Sequence, residues 1–204
     1  VATPFVNTLD HTEIAEEVLL NFERVLVRLE DREPAFKGYL PIYGLGHSMG
    51  CKLHLLIGCL EGVKRAGNIL ISFNNYAAKD AIPLVEQLNV AVNVEFTPSP
   101  TETYNLVNED YGVRRNLLVK FDNDTLDQSS DLTRLLQNRF KDMVTIQTFR
   151  GNHLTPLGQD VKWQPGQEFN PLDALGQWFK QEVYRDLNQL KRSLVLWLNP
   201  LSPL

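Results

Sequence analysis

Residues Gly46-His47-Ser48-Met49-Gly50 set a serine between two glycines in the spacing G-x-S-x-G. A serine hydroxyl is a poor nucleophile at neutral pH. It needs an imidazole within hydrogen-bond reach, and the imidazole needs a carboxylate to fix its tautomer and to stabilise the imidazolium. Both groups occur downstream in the order nucleophile, acid, base: the acidic loop Asp122-Asn123-Asp124-Thr125-Leu126-Asp127, then Gly151-Asn152-His153. The set points to attack on an acyl carbon, with Ser48 as nucleophile and His153 as base. The Met49 amide, at the start of the following helix, would face the developing oxyanion with the helix dipole behind it. Spacing leaves Asp124, Asp127 and Asp122 all open as the acid.

Such chemistry needs strand ends to hold it. The short apolar run at residues 39–45 reads as a strand and residues 51–60 as a buried helix, so Ser48 falls on a strand–turn–helix elbow. Gly46 and Gly50 are expected because a Cβ at either position would collide with strand or helix. Without that setting the same five residues are only a glycine-rich turn. Residues 68–73, 117–121 and 144–149 read as three further strands, and the acidic loop and His153 follow the last two. Ahead of the elbow, Asp10-His11-Thr12-Glu13 predicts a capping box, followed by a helix with Ile14, Val18, Phe22, Val25 and Leu29 on one face. Residues 31–37, which include Pro34, end it. Residues 132–140 read as another helix. Strands alternating with helices predict an α/β fold, a mostly parallel sheet with helices on both faces, in one domain over residues 1–204.

Residues 74–111 interrupt that alternation. Residues 77–88 read as a helix broken by Pro83, 90–96 alternate like a strand, and 97–100 read as a turn. An excursion of this kind between core strands is expected to act as a lid. Residues 170–198 predict a carboxyl-terminal helix, with Asn170 as N-cap, Pro171 at its first position, and Leu187, Leu190, Leu194 and Trp197 continuing its apolar face. The stronger reading packs it on the sheet; the alternative is a partner-binding helix. Residues 199–204 read as a loose tail.

Composition narrows the function classes. The chain has 204 residues, 43% of them hydrophobic and 22% charged, with a formal net charge of −5. No dense Lys/Arg run offers nucleic acid an electrostatic footprint, and no unbroken apolar stretch has membrane-spanning length. Cys51 and Cys59 lie eight residues apart on one predicted helix, too far to bridge, and read as reduced core thiols. No His, Cys or carboxylate group has metal-ligand spacing, and the 122–127 loop lacks the glycine and terminal glutamate of an EF-hand, so no cofactor is expected. His47 reads as a packing or hydrogen-bonding neighbour of the serine, and His11 and His54 as structural. The first residue is Val1, and residues 1–5 read as the end of a strand, so the chain is expected to be a fragment lacking its first strands.

With these motifs in place, the chain resembles the alpha/beta-hydrolase superfamily along its length. Residues 46–50 look like its nucleophile elbow and Gly151-Asn152-His153 like its Gly-x-His turn. Laid on the family's Leu-Leu-Ile-x-Gly-x-x-Asp pattern, residues 117–124 imply Asp124 as the acid, with Asp127 and then Asp122 behind it because Phe121 replaces the usual glycine. More closely, residues 1–8, 46–54 and 151–157 resemble an uncharacterised hydrolase-like family, number thirteen-fifty among the domains of unknown function, found in cyanobacteria and plant plastids. That resemblance implies a cytoplasmic or stromal protein and places a second oxyanion amide upstream of Val1. The expected activity is hydrolysis of an ester or thioester, a small-molecule acyl substrate, by a Ser-Asp-His triad. A catalytically silent binding or scaffold subunit is the alternative from another class. Residues 119–126 also resemble the Asp-x-Asp strand of haloacid-dehalogenase phosphatases, which would make Asp122 a nucleophile, although the motif does not lie on the first strand.

Overall fold

The computed structural model describes residues 1–33, 40–81, 95–157 and 171–199, the side chains of 171–184 excepted. Asp10 opens helix α1 (His11–Arg32), where its carboxylate accepts from the amides of Thr12 and Glu13, both at 3.0 Å. The elbow strand β1 (Tyr43–His47) leads into α2 (Met49–Cys59). Next come β2 (Gly67–Ile71), the single turn α3 (Ala78–Ala81) and α4 (Pro100–Glu109). The chain continues through β3 (Asn116–Phe121), α5 (Ser129–Phe140), β4 (Val144–Phe149) and the long α6 (Pro171–Leu198).

The four strands form one sheet in the order β1-β2-β3-β4, and every pair is parallel. Parallel strands need long crossovers, and the helices that supply them cover the sheet, so its strands are apolar on both sides. Alternate residues sort the two faces. Leu70, Leu118 and Val144 pack against Cys51 and Leu55 of α2, Val107 of α4, and Leu132 and Leu136 of α5. Ile69, Ile71, Leu117 and Val119 face the other way, onto Leu187, Leu190, Leu194 and Trp197 of α6. Helix α1 lies outside α2, with Ile14 and Ala15 against Leu53, Leu56 and Ile57. The sheet-packing reading of the last helix therefore holds for its described side chains. Leu118 sits at the centre with no exposed surface. Leu118→Ala is expected to cost about 2–5 kcal/mol through lost burial and a residual cavity, read as a lower urea midpoint at unchanged slope.

Several expectations are corrected. Residues 1–8 form no strand; among the described residues the pairing at this end is an isolated parallel bridge, Asp10 to Thr97. There the Thr97 carbonyl accepts from the His11 amide at 2.7 Å, while the Thr97 amide donates to the Leu9 carbonyl at 2.9 Å. The complete capping box is not at Asp10. It is at Ser99, whose hydroxyl accepts from the Glu102 amide while the Glu102 carboxylate accepts from the Ser99 amide. That box, with Pro100 at the first helical position, opens α4, a helix the sequence reading took for a turn and lid. Val107 and Thr103 bury α4 in the core. Most of the helix expected at 77–88 and the strand expected at 90–96 lie outside the described residues, as does the N-cap Asn170. Among the described residues no helix is long and apolar enough to cross a membrane.

Candidate active site

Strand β1 runs out at His47, and the chain must turn at once into α2. Ser48 takes up that turn with φ 56° and ψ −125°, a left-handed conformation that costs a non-glycine residue energy. The surroundings hold it there. The Ser48 amide donates to the Ile71 carbonyl at 3.0 Å, and the buried Cys51 thiol lies 3.3 Å from the Gly46 carbonyl oxygen and 3.2 Å from that of Ile71. Burial pushes the Cys51 thiol up, out of the range in which it would ionise.

The two glycines are not equivalent. A Cβ on Gly46 would lie 2.5 Å from the Gly50 carbonyl oxygen, whereas one on Gly50 would meet nothing within 4 Å. The expectation that both glycines avoid collisions is right only for Gly46. Gly46→Ala is expected to force strand and helix apart and to lower both thermal stability and nucleophile reactivity. Gly50→Ala should fold normally, and a comparison of melting temperatures separates the two.

The turns that carry Asp124 and His153 are built against each other. After β3 the chain folds back through a bond from the Asp124 amide to the Phe121 carbonyl, 3.2 Å. This brings the Asp124 carboxylate, whose side chain is fully buried, 2.9 Å from His153 Nδ1. Its other oxygen accepts from the Leu126 amide at 3.0 Å. Burial alone would push this carboxyl up; hydrogen bonds and the adjacent imidazole outweigh that and hold it below its ordinary value. The Ser72 hydroxyl also supports the charge from nearby, without a hydrogen bond of normal geometry.

His153 Nε2 lies 3.0 Å from Ser48 Oγ. Read together, the two contacts form a line from Asp124 through His153 to Ser48, with Nδ1–H donating to the carboxylate and Nε2 accepting from the hydroxyl. Asp122 and Asp127 face elsewhere. Asp122 accepts from the Gly151 amide at 3.1 Å and so ties down the turn that carries His153. Asp127 accepts from the Ser129 hydroxyl at 2.6 Å at the start of α5, and burial pushes its carboxyl up. His47 Nε2–H donates to the His153 carbonyl at 2.8 Å, which makes it a hydrogen-bonding neighbour. Burial lowers its pKa. His54 is held between the Leu45 carbonyl, 3.0 Å, and Arg65, 2.6 Å, in a structural role.

Met49 is the first residue of α2, so its amide has no partner inside the helix. Sequence reasoning missed Asn74, whose Nδ2 donates to Ser48 Oγ at 3.0 Å. It follows β2 by three residues, beyond the strained Ser72 at φ 51°. A cavity of about 570 Å³ opens beside the serine, lined by Ser48, Met49, His11, Lys52, Asn74 and Asn75 among others. Among the described residues no cluster of His, Cys, Asp and Glu has the arrangement of a metal site.

Residues 1–200 match the model of a family described as "Protein of unknown function (DUF1350)". No curated protein matches the sequence. Similar solved structures include the thioesterase domain from the curacin biosynthetic pathway, at 13% identity and a TM-score of 0.42, covering 68% of this chain and 67% of that one. The monoacylglycerol lipase of Paleococcus ferrophilus is similar at 13% identity and 0.42, covering 85% and 75%. A structure from the metagenome-derived lipolytic enzymes LipS and LipT is similar at 12% and 0.47, covering 88% and 79%.

Proposed function

The chain belongs to the DUF1350 family, whose description assigns no reaction, and from the site itself we propose that it is a serine hydrolase acting on a small acyl ester or thioester. The observation that carries this reading is the unbroken line Asp124–His153–Ser48, 2.9 Å and 3.0 Å, ending on a serine in a strained elbow. Ser48 Oγ attacks the acyl carbon as its proton passes to His153 Nε2. Asp124 keeps Nδ1–H pointed at itself, so that Nε2 is the nitrogen free to accept. The Met49 amide stabilises the oxyanion of the tetrahedral intermediate. Asn74 donates to Oγ and so leaves the hydroxyl proton directed at His153.

Collapse of the intermediate breaks the bond to the leaving alcohol or thiol, which takes the proton from His153. Water then attacks the acyl-serine with His153 again as base, releasing the acid and regenerating Ser48. A fluorophosphonate probe is expected to label the wild-type protein at Ser48 and to leave Ser48→Ala unlabelled. Absence of label on folded wild-type protein would overturn the hydrolase reading and favour a silent binding subunit.

A further inference from the structure

We infer that the cavity beside Ser48 holds an anionic oxygen group, a carboxylate or a phosphate, between the Lys52 ammonium and a ring N–H of His11, so that the substrate is an acidic acyl ester or thioester. The inference rests on Ser48 as nucleophile only for the word substrate; the anion site stands on its own residues.

Lys52 is the fourth residue of α2, and it and Ser48 both line the cavity. Lys52 is nevertheless only 2% exposed. Its Nζ donates to the Pro98 carbonyl at 2.7 Å, which uses one of three N–H donors. Among the described residues no carboxylate lies within ion-pair distance of it. A buried ammonium is costly without a counter-charge. The two carboxylates that act on it from farther away are already engaged: Glu95 accepts from the Ala78 and Phe96 amides, and Glu102 from the Ser99 amide. Burial lowers the Lys52 pKa to about 8 against those two charges. Asp80, which also lines the cavity, is exposed to solvent.

His11 makes the same demand independently. It is 2% exposed and lines the same cavity, and among the described residues neither ring nitrogen has a hydrogen-bond partner. Buried polar atoms of native proteins are nearly always partnered, so two orphans on one ring need an explanation. The ring is stacked on Phe96 at 4.4 Å between centroids, and Lys52 Nζ lies 5.6 Å from the centroid of that same ring. Phe96 is therefore in contact with both the imidazole and the ammonium, and the Lys52 charge acts on the His11 ring. Burial and the Lys52 charge lower the His11 pKa to about 4, leaving a neutral ring with one N–H to give. One anionic oxygen group entering here would supply a near counter-charge for Lys52 and an acceptor for His11 together.

Near-isosteric 4-nitrophenyl esters of pentanoic acid, glutaric acid (the half-ester) and 4-phosphonobutanoic acid test the idea. The wild type is expected to show kcat/KM at least tenfold higher for one of the acidic esters than for the pentanoate. Whether carboxylate or phosphonate wins identifies the source of the anion. Lys52→Met should bring that ratio within about threefold of unity, and His11→Phe, which retains a ring to stack on Phe96, should lower it three- to tenfold. A wild-type ratio of one or less, or a ratio unchanged in both variants, overturns the inference.

Calorimetric titration of Ser48→Ala with glutarate and with 4-phosphonobutanoate reads the anion site without turnover, and binding should weaken at least tenfold when Lys52→Met is added. Lysine-dependent binding in a protein that no fluorophosphonate labels would uphold the anion site and sink the hydrolase reading. Labelling at Ser48 with neither acid preference nor binding would do the reverse.

Discussion

Ser48→Ala and His153→Ala are each expected to lower kcat for a 4-nitrophenyl ester by about 10⁴- to 10⁶-fold, and the double variant by no more than the worse of the two. In the proposed mechanism the two act in one proton transfer: His153 Nε2, 3.0 Å from Ser48 Oγ, is the base for the hydroxyl, so removing either partner removes the same step. Two independent contributions would multiply; two halves of one step do not. Rate enhancement over water that survives in both variants would report the Met49 amide and substrate positioning, which neither change touches. Residual labelling of Ser48→Ala by a fluorophosphonate would mean that another residue is the nucleophile.

Asp124→Asn should produce the next largest loss, about 10³- to 10⁴-fold in kcat at little change in fold. Asparagine can turn its amide nitrogen toward His153 Nδ1, and a donor there forces the proton onto Nε2. The ring is then a donor where it must accept. Asp122→Asn keeps an oxygen able to accept from the Gly151 amide, and Asp127 bonds Ser129 rather than His153. Both variants are expected to stay within tenfold of wild type. A collapse of activity in Asp127→Asn with Asp124→Asn spared would move the acid role to Asp127.

The elements that carry these groups were legible in the sequence where local pattern and burial agree. Residues 144–149 were read as a strand and form β4 over those same residues, and the elbow helix differs by one or two residues at each end. Strand β1 begins four residues later than the reading of 39–45, because Leu40 and Pro41 have strand-like side chains yet stand in no ladder among the described residues, and it runs on through Gly46 and His47, which the reading gives to the elbow turn. Helix α4 carried its own start signal in Ser99, Pro100 and Glu102. Prolines at 98 and 100 mask that signal, because a proline pair reads as a turn more readily than as a first helical residue.

What spacing could not reach was everything set by distant parts of the chain. Asn74 meets Ser48 across 26 positions, and Lys52 meets Pro98 across 46. His11 was read as structural because nothing in its own neighbourhood reveals that Phe96 will place it on a cavity wall. That Asp124, rather than Asp122 or Asp127, lies beside His153 goes with a local fold-back, the Asp124 amide bonded to the Phe121 carbonyl, which no composition rule predicts.

The cross-bracing of the turns that carry Asp124 and His153 bears on how the candidate site is lost. The Asn123 amide donates to the Gly151 carbonyl at 3.0 Å, the Gly151 amide to Asp122 at 3.1 Å, and the Asp122 amide to the Phe149 carbonyl at 2.9 Å. Neither turn can open alone without breaking bonds to the other, so they belong to one cooperative unit of local unfolding. In native-state hydrogen exchange the amides of Asp122, Asn123 and Gly151 should therefore share one opening free energy and one denaturant slope, although they lie on connections 28 or more positions apart in the chain. The chemistry would then fail as a whole rather than by fraying: any thermal fluctuation that releases the base also releases the acid that orients it, and no half-assembled pair persists to act on the wrong bond.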